Sequence, residues 1–149
     1  MNSDDKPQDG MQITLRLWSL PEVNKAMPYL RAVMKPLRDQ WLEIQRSRLA
    51  LRRMTEAATF DSEEQDLLQE ARLAANTAEE RFAQTLNELI TFDVYTLDPL
   101  RGIALLPFKI GNELAWFVFD LFAPEGLDAW RFHTDPLSAR RSMTLLGSR

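Results

Sequence analysis

Five aspartates are spread through the second half of the chain, and their carboxylates are the side chains best suited to hold a hard cation. They are Asp93, Asp98, Asp120, Asp128 and Asp135. Oxygen ligands of this kind suit Mg²⁺ or Ca²⁺. Their spacings match no ion-binding loop, however, and Asp98 directly precedes Pro99, a pair typical of a turn. The sequence therefore predicts no metal ion and no cofactor.

Asp120 differs from the other four because it interrupts an apolar strand, close to Trp116 and Phe122. A carboxylate buried there needs a partner. Either it forms a structural ion pair with an arginine, or it belongs to a ligand site. The candidate partners are Arg101, Arg131, Arg140 and Arg141. A site for a small anionic ligand on the sheet would use Arg101, Trp130, Arg140, Arg141 and Asp120.

His133 is the single histidine, and it lies two residues before Asp135. A histidine beside a carboxylate can act as a general base, but no serine or cysteine nucleophile motif accompanies it. The chain has no cysteine, which excludes disulfides and thiolate chemistry. One imidazole is also too few for most catalytic zinc sites. We therefore expect His133 at the surface or at a strand end, in a protein that is not an enzyme.

Four arginines lie close together before the middle of the chain, at Arg46, Arg48, Arg52 and Arg53. They could bind phosphate groups, but no aromatic residues lie between them to stack on bases, as proteins that bind single-stranded nucleic acid require. Near the carboxyl end of a helix, such cations are favoured by the helix dipole. The net charge of −4 also argues against nucleic acid. The sequence therefore favours a protein without a nucleic-acid partner and leaves nucleic-acid binding by these arginines as a third hypothesis.

The first element that must position these groups is a long helix. Ser19 and Glu22 have the spacing of a capping box at its start. Its apolar positions step by three and four residues, which is a heptad seam broken once at Arg48. We expect one bent helix to about Ala57, with Pro28 and Pro36 inside it. The seam comprises Val23, Met27, Leu30, Met34, Leu37, Trp41, Ile44 and Leu51.

Arg48 has two interpretations. It can extend from the seam into solvent at the hairpin tip, or pair with a seam acid of a second chain.

A second helix follows a turn at Thr59-Phe-Asp61, with Asp61 or Ser62 as its cap. Its alanine-rich seam would let the two helices approach closely. From Glu22 to Ala57 there are eight basic and four acidic residues, whereas from Asp61 to Ile90 there are two basic and eight acidic ones. These opposite charges favour an antiparallel hairpin. The second seam comprises Leu68, Ala71, Ala75, Ala78, Phe82, Thr85 and Leu89.

The remaining segments alternate or are rich in aromatic and branched residues, which predicts strands. The turns between them are Asp98-Pro99, Gly111-Asn112 and Pro124-Glu-Gly126. Leu114–Phe122 is apolar on both faces, so it is a central strand or has a partner on one face. Residues 134–149 read as an extended tail against the sheet. The predicted strands are Met11–Trp18, Phe92–Leu97, Gly102–Ile110, Glu113–Phe122 and Leu127–His133.

Three motifs in order resemble a bacterial family catalogued as domain of unknown function 2203 (DUF2203). They are the opening Leu17-Trp-Ser-Leu-Pro-Glu-Val-Asn24 with Met27-Pro-Tyr-Leu30, then Leu97-Asp-Pro-Leu-Arg-Gly102 with Pro107, and lastly Trp130 with Arg140-Arg141. The resemblance covers about residues 15–143. The family's His-Glu after its tryptophan is Arg131-Phe132 here, and its Asp before Phe-Pro is Leu105. The resemblance implies an architecture but no reaction.

The sequence thus predicts an α+β fold, a long antiparallel helical hairpin packed with a small antiparallel β-sheet. Residues 1–10 are expected to form a disordered tail, and residues 11–149 a single domain. No signal peptide or membrane-spanning run is present, so we expect a cytoplasmic protein. The function expected first is protein–protein interaction or scaffolding, with self-association as a homodimer through the hairpin or the sheet. An unidentified protein partner is possible; the alternative is the small-anion site above.

Overall fold

The capping box forms as the sequence predicts and begins a long helix. In the computed structural model, which describes residues 14–57 and 61–146, the Ser19 amide donates to Glu22 Oε1 over 2.9 Å and the Glu22 amide donates to Ser19 Oγ over 3.3 Å. Helix α1 runs without interruption over Leu20–Ala57, through Pro28 and Pro36. The expectation of one helix, not two, is therefore confirmed.

Helix α2 spans Ser62–Thr91 and packs antiparallel to α1. Asp61 caps it by accepting a hydrogen bond from the Glu63 amide over 3.1 Å. The seams predicted from the sequence face each other, and Trp41 meets Phe82 with ring centroids 5.5 Å apart. The expected tail over residues 1–10 and the turn residues Thr59 and Phe60 lie outside the described residues.

Five strands form one antiparallel sheet in sequential order: β1 Tyr95–Asp98, β2 Ile103–Ile110, β3 Glu113–Asp120, β4 Leu127–Phe132 and β5 Arg141–Ser142. Strand β3 lies in the middle, as its apolar character on both faces predicts. Gly111-Asn112 is the tight turn between β2 and β3, whose closing pair is Ile110 and Glu113. A short 3₁₀ turn over Met143–Leu145 follows β5.

The sheet buries both of its faces, which is why its central strands show no polar alternation. The inner face packs against the hairpin through a cluster that includes Leu30, Met34, Leu106 and Phe119. The outer face has a second, smaller cluster, against which Leu15 and Tyr95 pack. Its buried members are Ile103, Leu105, Trp116, Val118 and Ala129.

The strand predicted over Met11–Trp18 is wrong in its described part, because residues 14–19 form no helix or strand. Their amides find other acceptors: Arg16 donates its amide to the Asp93 carboxylate over 2.8 Å, and Trp18 donates its amide to the Pro107 carbonyl over 2.7 Å. The strand predicted from Phe92 starts instead at Tyr95. Asp93 has φ of 57° and makes a turn after α2, so the chain becomes extended only afterwards.

No helix among residues 14–57 and 61–146 combines the length and the apolar character that crossing a membrane requires.

Candidate functional site

The turn between β4 and β5 gathers arginines around one carboxylate. Arg141 makes a two-pronged contact with Asp135, with Nε 2.7 Å from Oδ2 and Nη2 3.0 Å from Oδ1. The Phe132 amide also donates to Asp135 Oδ2 over 2.9 Å. Arg131 donates Nη1 to the carbonyls of Phe132 and Asp135, and Arg140 donates Nη1 to those of Leu137 and Ala139.

The charged side chains of this turn shift one another's pKa values. The hydrogen bonds from Arg141 and from the Phe132 amide lower the pKa of Asp135 to about 2, and the same carboxylate raises the pKa of Arg141. Burial, together with the nearby Arg140, lowers the pKa of Arg131. Arg131 is only 3% exposed, and its Nε has no hydrogen-bond partner within residues 14–57 and 61–146. The turn is therefore a network that holds its own backbone, with an excess of positive charge.

Three of the five residues predicted to bind an anion lie in this network. Arg141 stands over the Trp130 ring at 5.4 Å, and Arg140 is its chain neighbour. Trp130 itself is 5% exposed and donates its indole N–H to the Ser142 carbonyl. Its ring packs in the inner core, and the guanidinium of Arg141 lies over that ring.

The other two predicted residues lie at the opposite end of the sheet. Asp120 ends β3 and pairs in register with Ile103, two residues after Arg101. Asp120 Oδ1 accepts the Phe122 amide over 3.0 Å, and among the described residues it has no ion pair. Arg101 is exposed, 3.9 Å from Asp98. The structural ion pair expected for Asp120 is replaced by a turn contact, and small-ligand binding stays a prediction.

The remaining carboxylates shape local backbone. Asp93 accepts the Arg16 amide and the Tyr95 hydroxyl, which donates over 2.6 Å; burial and this bond raise the pKa of Tyr95 to about 12. Asp98 accepts the Arg101 amide over 3.2 Å. In the described part of the chain, which leaves out the Asp128 side chain, no three acidic or histidine residues come together as metal ligands would.

His133 lies at the surface, directly after β4, where it was expected. Its Nδ1 accepts the indole N–H of Trp116 over 3.1 Å. The nearest carboxylate in sequence, Asp135, is engaged with Arg141 instead. A base needs a free nitrogen aimed at a substrate proton, and of the two ring nitrogens Nδ1 is occupied by the indole of Trp116 in the outer cluster.

The hairpin offers a second candidate surface, on the side of its helices that faces away from the sheet. Residues seven positions apart on a helix lie almost in line along its axis. Two such lines of residues from each helix form this surface. We call this surface the back face. It comprises Tyr29, Val33, Pro36, Gln40, Glu43, Ser47, Ala50, Met54 and Ala57 of α1 and Glu64, Leu67, Ala71, Ala74, Ala78, Arg81, Thr85 and Glu88 of α2. Four of these are half-buried at its boundary with the contact between the helices: Ala71, Ala78 and Thr85, which also belong to the α2 seam, and Val33, which also packs against the inner cluster.

Observations at three positions along the hairpin show that these lines of residues from the two helices form one surface. At the base, the Tyr29 hydroxyl donates to Glu88 over 2.9 Å, and burial and this bond raise the pKa of Tyr29 to about 12. Midway, a depression is lined by Gln40, Glu43, Ala78 and Arg81. Near the tip, another is lined by Met54, Ala57, Glu64 and Leu67.

The sheet lies on the other side of α1. Arg31 donates to the Pro124 carbonyl over 3.2 Å and Arg38 to the Leu100 carbonyl over 2.7 Å. These two arginines are seven residues apart, and the helical repeat of about 100° per residue places them on the far side of α1 from Tyr29 and Pro36. The sheet therefore packs on the side of α1 opposite to the back face.

The back face is mostly small or apolar along its length, with few charges. Leu67 is 54% exposed there. Gln40 Oε1 is buried in the middle of this face and has no hydrogen-bond partner among the described residues. An acceptor left in this state costs roughly 1–3 kcal/mol.

The arginines near the tip of the hairpin lie outside the back face, on other surfaces of the two helices. Arg48 pairs with Glu79 of its own chain, with Nε 3.3 Å from the carboxylate, and its side chain is 54% exposed; pairing with a second chain stays a prediction. Arg46 contacts Glu43 at 3.1 Å. The heptad pattern marks the inner contact between the helices and not the back face. The signal for the back face was the set of small residues offset from the seam, at Ser47, Ala50 and Ala74.

Comparisons of the chain with protein-family models, with curated proteins and with solved structures found no match. The resemblance to the DUF2203 family therefore stays a prediction, and the geometry alone must support a functional proposal.

Proposed function

We propose that this protein is a non-enzymatic interaction protein that associates with a second copy of itself through the back face of its hairpin. The observation that carries the proposal is the back face itself, a strip of small and apolar side chains turned away from the sheet. Its exposed members include Pro36, Ala50, Ala57, Leu67 and Ala74. Small side chains let a second pair of helices approach closely.

The outer half of the hairpin supplies the energetic reason. The Arg38 contact to Leu100 is the furthest along α1 of the hydrogen bonds from this helix to the sheet region. Beyond Trp41 and before Phe82, only three described side chains of the two helices are buried: Ile44, Leu68 and Ala75. Helices of this length gain most of their stability from burying an apolar face. Association through the back face would supply that burial.

The residues with reactive potential favour interaction over catalysis. Asp93, Asp98, Asp120 and Asp135 each accept hydrogen bonds from nearby backbone or side chains. His133 is occupied by Trp116. A catalytic group needs a proton-transfer partner and a substrate position, and these side chains are instead used to hold turns and strand ends.

The test compares a charge placed on the back face with the same charge placed beside it. Ala74 is an exposed member of the back face, whereas Leu73, its neighbour, is 58% exposed and points about 100° away around α2. In light scattering, the unmodified chain should be a dimer. Ala74→Arg should weaken association by about 100-fold or more, because the arginine would be buried unpaired. Leu73→Arg should leave the dimer intact.

Circular dichroism provides the control, since both substitutions lie on exposed helical positions and should keep the helix content of the unmodified chain. A monomeric unmodified chain would overturn the proposal. So would equal dissociation by both variants, because the surface in contact would then not be the back face.

A further inference from the structure

We propose that the two hairpins meet with their two-fold axis parallel to the helices, so that α1 of each copy lies over α2 of the other and both sheets are at the same end. This inference rests on the proposed self-association and specifies its geometry. The result is a four-helix bundle formed by the back faces, with the two sheets on its outside.

Face-to-face contact of two hairpins allows two simple symmetric arrangements. An axis parallel to the helices places α1 over α2 of the second copy. An axis across the helices places α1 over α1, and α2 over α2, with the sheets at opposite ends. Neighbouring helices are antiparallel in both, so the helix dipoles do not distinguish them.

Net charge distinguishes the two arrangements. Helix α1 has eight basic and four acidic residues, a balance of +4, whereas α2 over Ser62–Thr91 has two basic and seven acidic residues, a balance of −5. None of the eight basic residues of α1 belongs to the back face, so these charges act from beside the contact, and the crosswise axis brings helices of the same net sign together. The parallel axis brings each basic helix against an acidic one, and complementary potentials of this kind set the register and orientation of an interface.

Individual positions agree with this choice. Glu43 and Arg81 lie at the same height on the back face, beside Gln40. With the parallel axis, Glu43 of one copy faces Arg81 of the other, twice by symmetry.

The extent of the surface fits a stable dimer. From Tyr29 to Ala57 the back face is roughly 42 Å long at about 1.5 Å per residue, and two adjacent helices make it roughly 20 Å wide. That area, about 800 Å² per chain, is what a standard protein–protein interface uses on each side.

Distances between spin labels on the full chain test the arrangement. The chain has no cysteine, so Asn24→Cys and Arg53→Cys each give a single labelling position, and both are exposed on α1. Asn24 lies near the base and Arg53 near the tip. With the parallel axis, each label faces its copy at the same height, so both variants should give similar distances, near about 30 Å from the helix diameters alone.

The crosswise axis predicts a different pair of distances. Asn24 is about 29 Å along the helix from the middle of the back face at residue 43, so its two labels would be separated by roughly 57 Å along the axis, against roughly 30 Å for Arg53. A long Asn24 distance in a dimer would overturn this inference and leave self-association standing. Absence of any distance between labels, with a monomeric mass, would instead overturn the proposed function.

Discussion

Asp135 shows how one carboxylate can organise a turn that sequence spacing presents as a reactive site. It accepts two hydrogen bonds from Arg141 and one from the Phe132 amide, and its side chain is 15% exposed. Hydrogen bonds from a guanidinium and an amide favour the charged form of a carboxylate. The pKa of Asp135 is therefore lowered, from 3.8 to about 2. Its proximity to His133 in sequence is incidental, because the two side chains have different partners.

The lowered pKa predicts how stability depends on pH. Because the folded state holds Asp135 ionised below the pKa it has when unfolded, its contribution is present above about pH 4 and is lost as the pH falls towards 2. Asp135→Asn should lower the urea midpoint at pH 7, and the difference from the unmodified chain should shrink through that window. Urea titrations at neutral and acidic pH measure this.

Glu56→Gln, an exposed position near the hairpin tip, is the matched control and should follow the unmodified chain at neutral pH. If the midpoints of the unmodified chain and of Asp135→Asn stayed equally far apart from pH 7 to pH 2, the Arg141 contact would not be what lowers the pKa of Asp135.

Among the elements, the turns of the sheet depend on glycines for different reasons. Gly102 has φ of 68° and lies against Leu121, whose amide donates to the Gly102 carbonyl over 3.0 Å. A Cβ at Gly102 would be 2.6 Å from Leu121 Cβ, whereas one at Gly111, with φ of 61°, would have no atom of the described residues within 4 Å. The backbone cost is shared by both positions, but only Gly102 is also crowded.

Gly102→Ala should therefore destabilise the fold more than Gly111→Ala does. The left-handed conformation costs an alanine about 1–2 kcal/mol at either site. Displacing Leu121 should add about 1–3 kcal/mol at Gly102. Chemical unfolding of the two variants measures the difference in the free energy of unfolding. Equal losses would mean that β3 and its following turn yield freely around Gly102.

The sequence predicted most elements because their signals are local. The capping box at Ser19, the heptad seam from Val23 and the turn at Gly111 all act through residues close in the chain. The residues 14–18 were predicted as a strand because their alternation cannot reveal that the Arg16 amide bonds a carboxylate 77 residues away. Strand β5 has only two residues, too few for a periodicity.

The candidate sites were harder to predict than the elements. Arg101 and Asp120 were grouped with Arg140 because all are charged and near strands, but sheet register places them at the far end from Trp130. Arg131 was considered as a partner for Asp120, yet no spacing rule indicates that its guanidinium is buried against backbone carbonyls. The back face escapes a seam search because its residues on α1 include polar and small ones such as Gln40, Ser47 and Ala50, which carry little hydrophobic weight.

At the scale of the whole molecule, the base and the tip of the hairpin differ in how much they bury. Near its base, the sheet packs against one side of it, and the inner cluster there contains Val23, Leu30, Met34 and Leu37, each fully buried. Towards the tip, the same two helices bury little beyond Ile44. A hairpin that extends past its sheet with a small, apolar back face is well matched to a second hairpin of the same kind.

The central claim is that the unmodified chain associates through this back face, and sedimentation equilibrium over a wide range of concentrations tests it most directly. The account predicts a mass of twice the 17.3 kDa of one chain, falling towards a single chain only on strong dilution. A mass of 17.3 kDa at every concentration, with the helices folded, would contradict it.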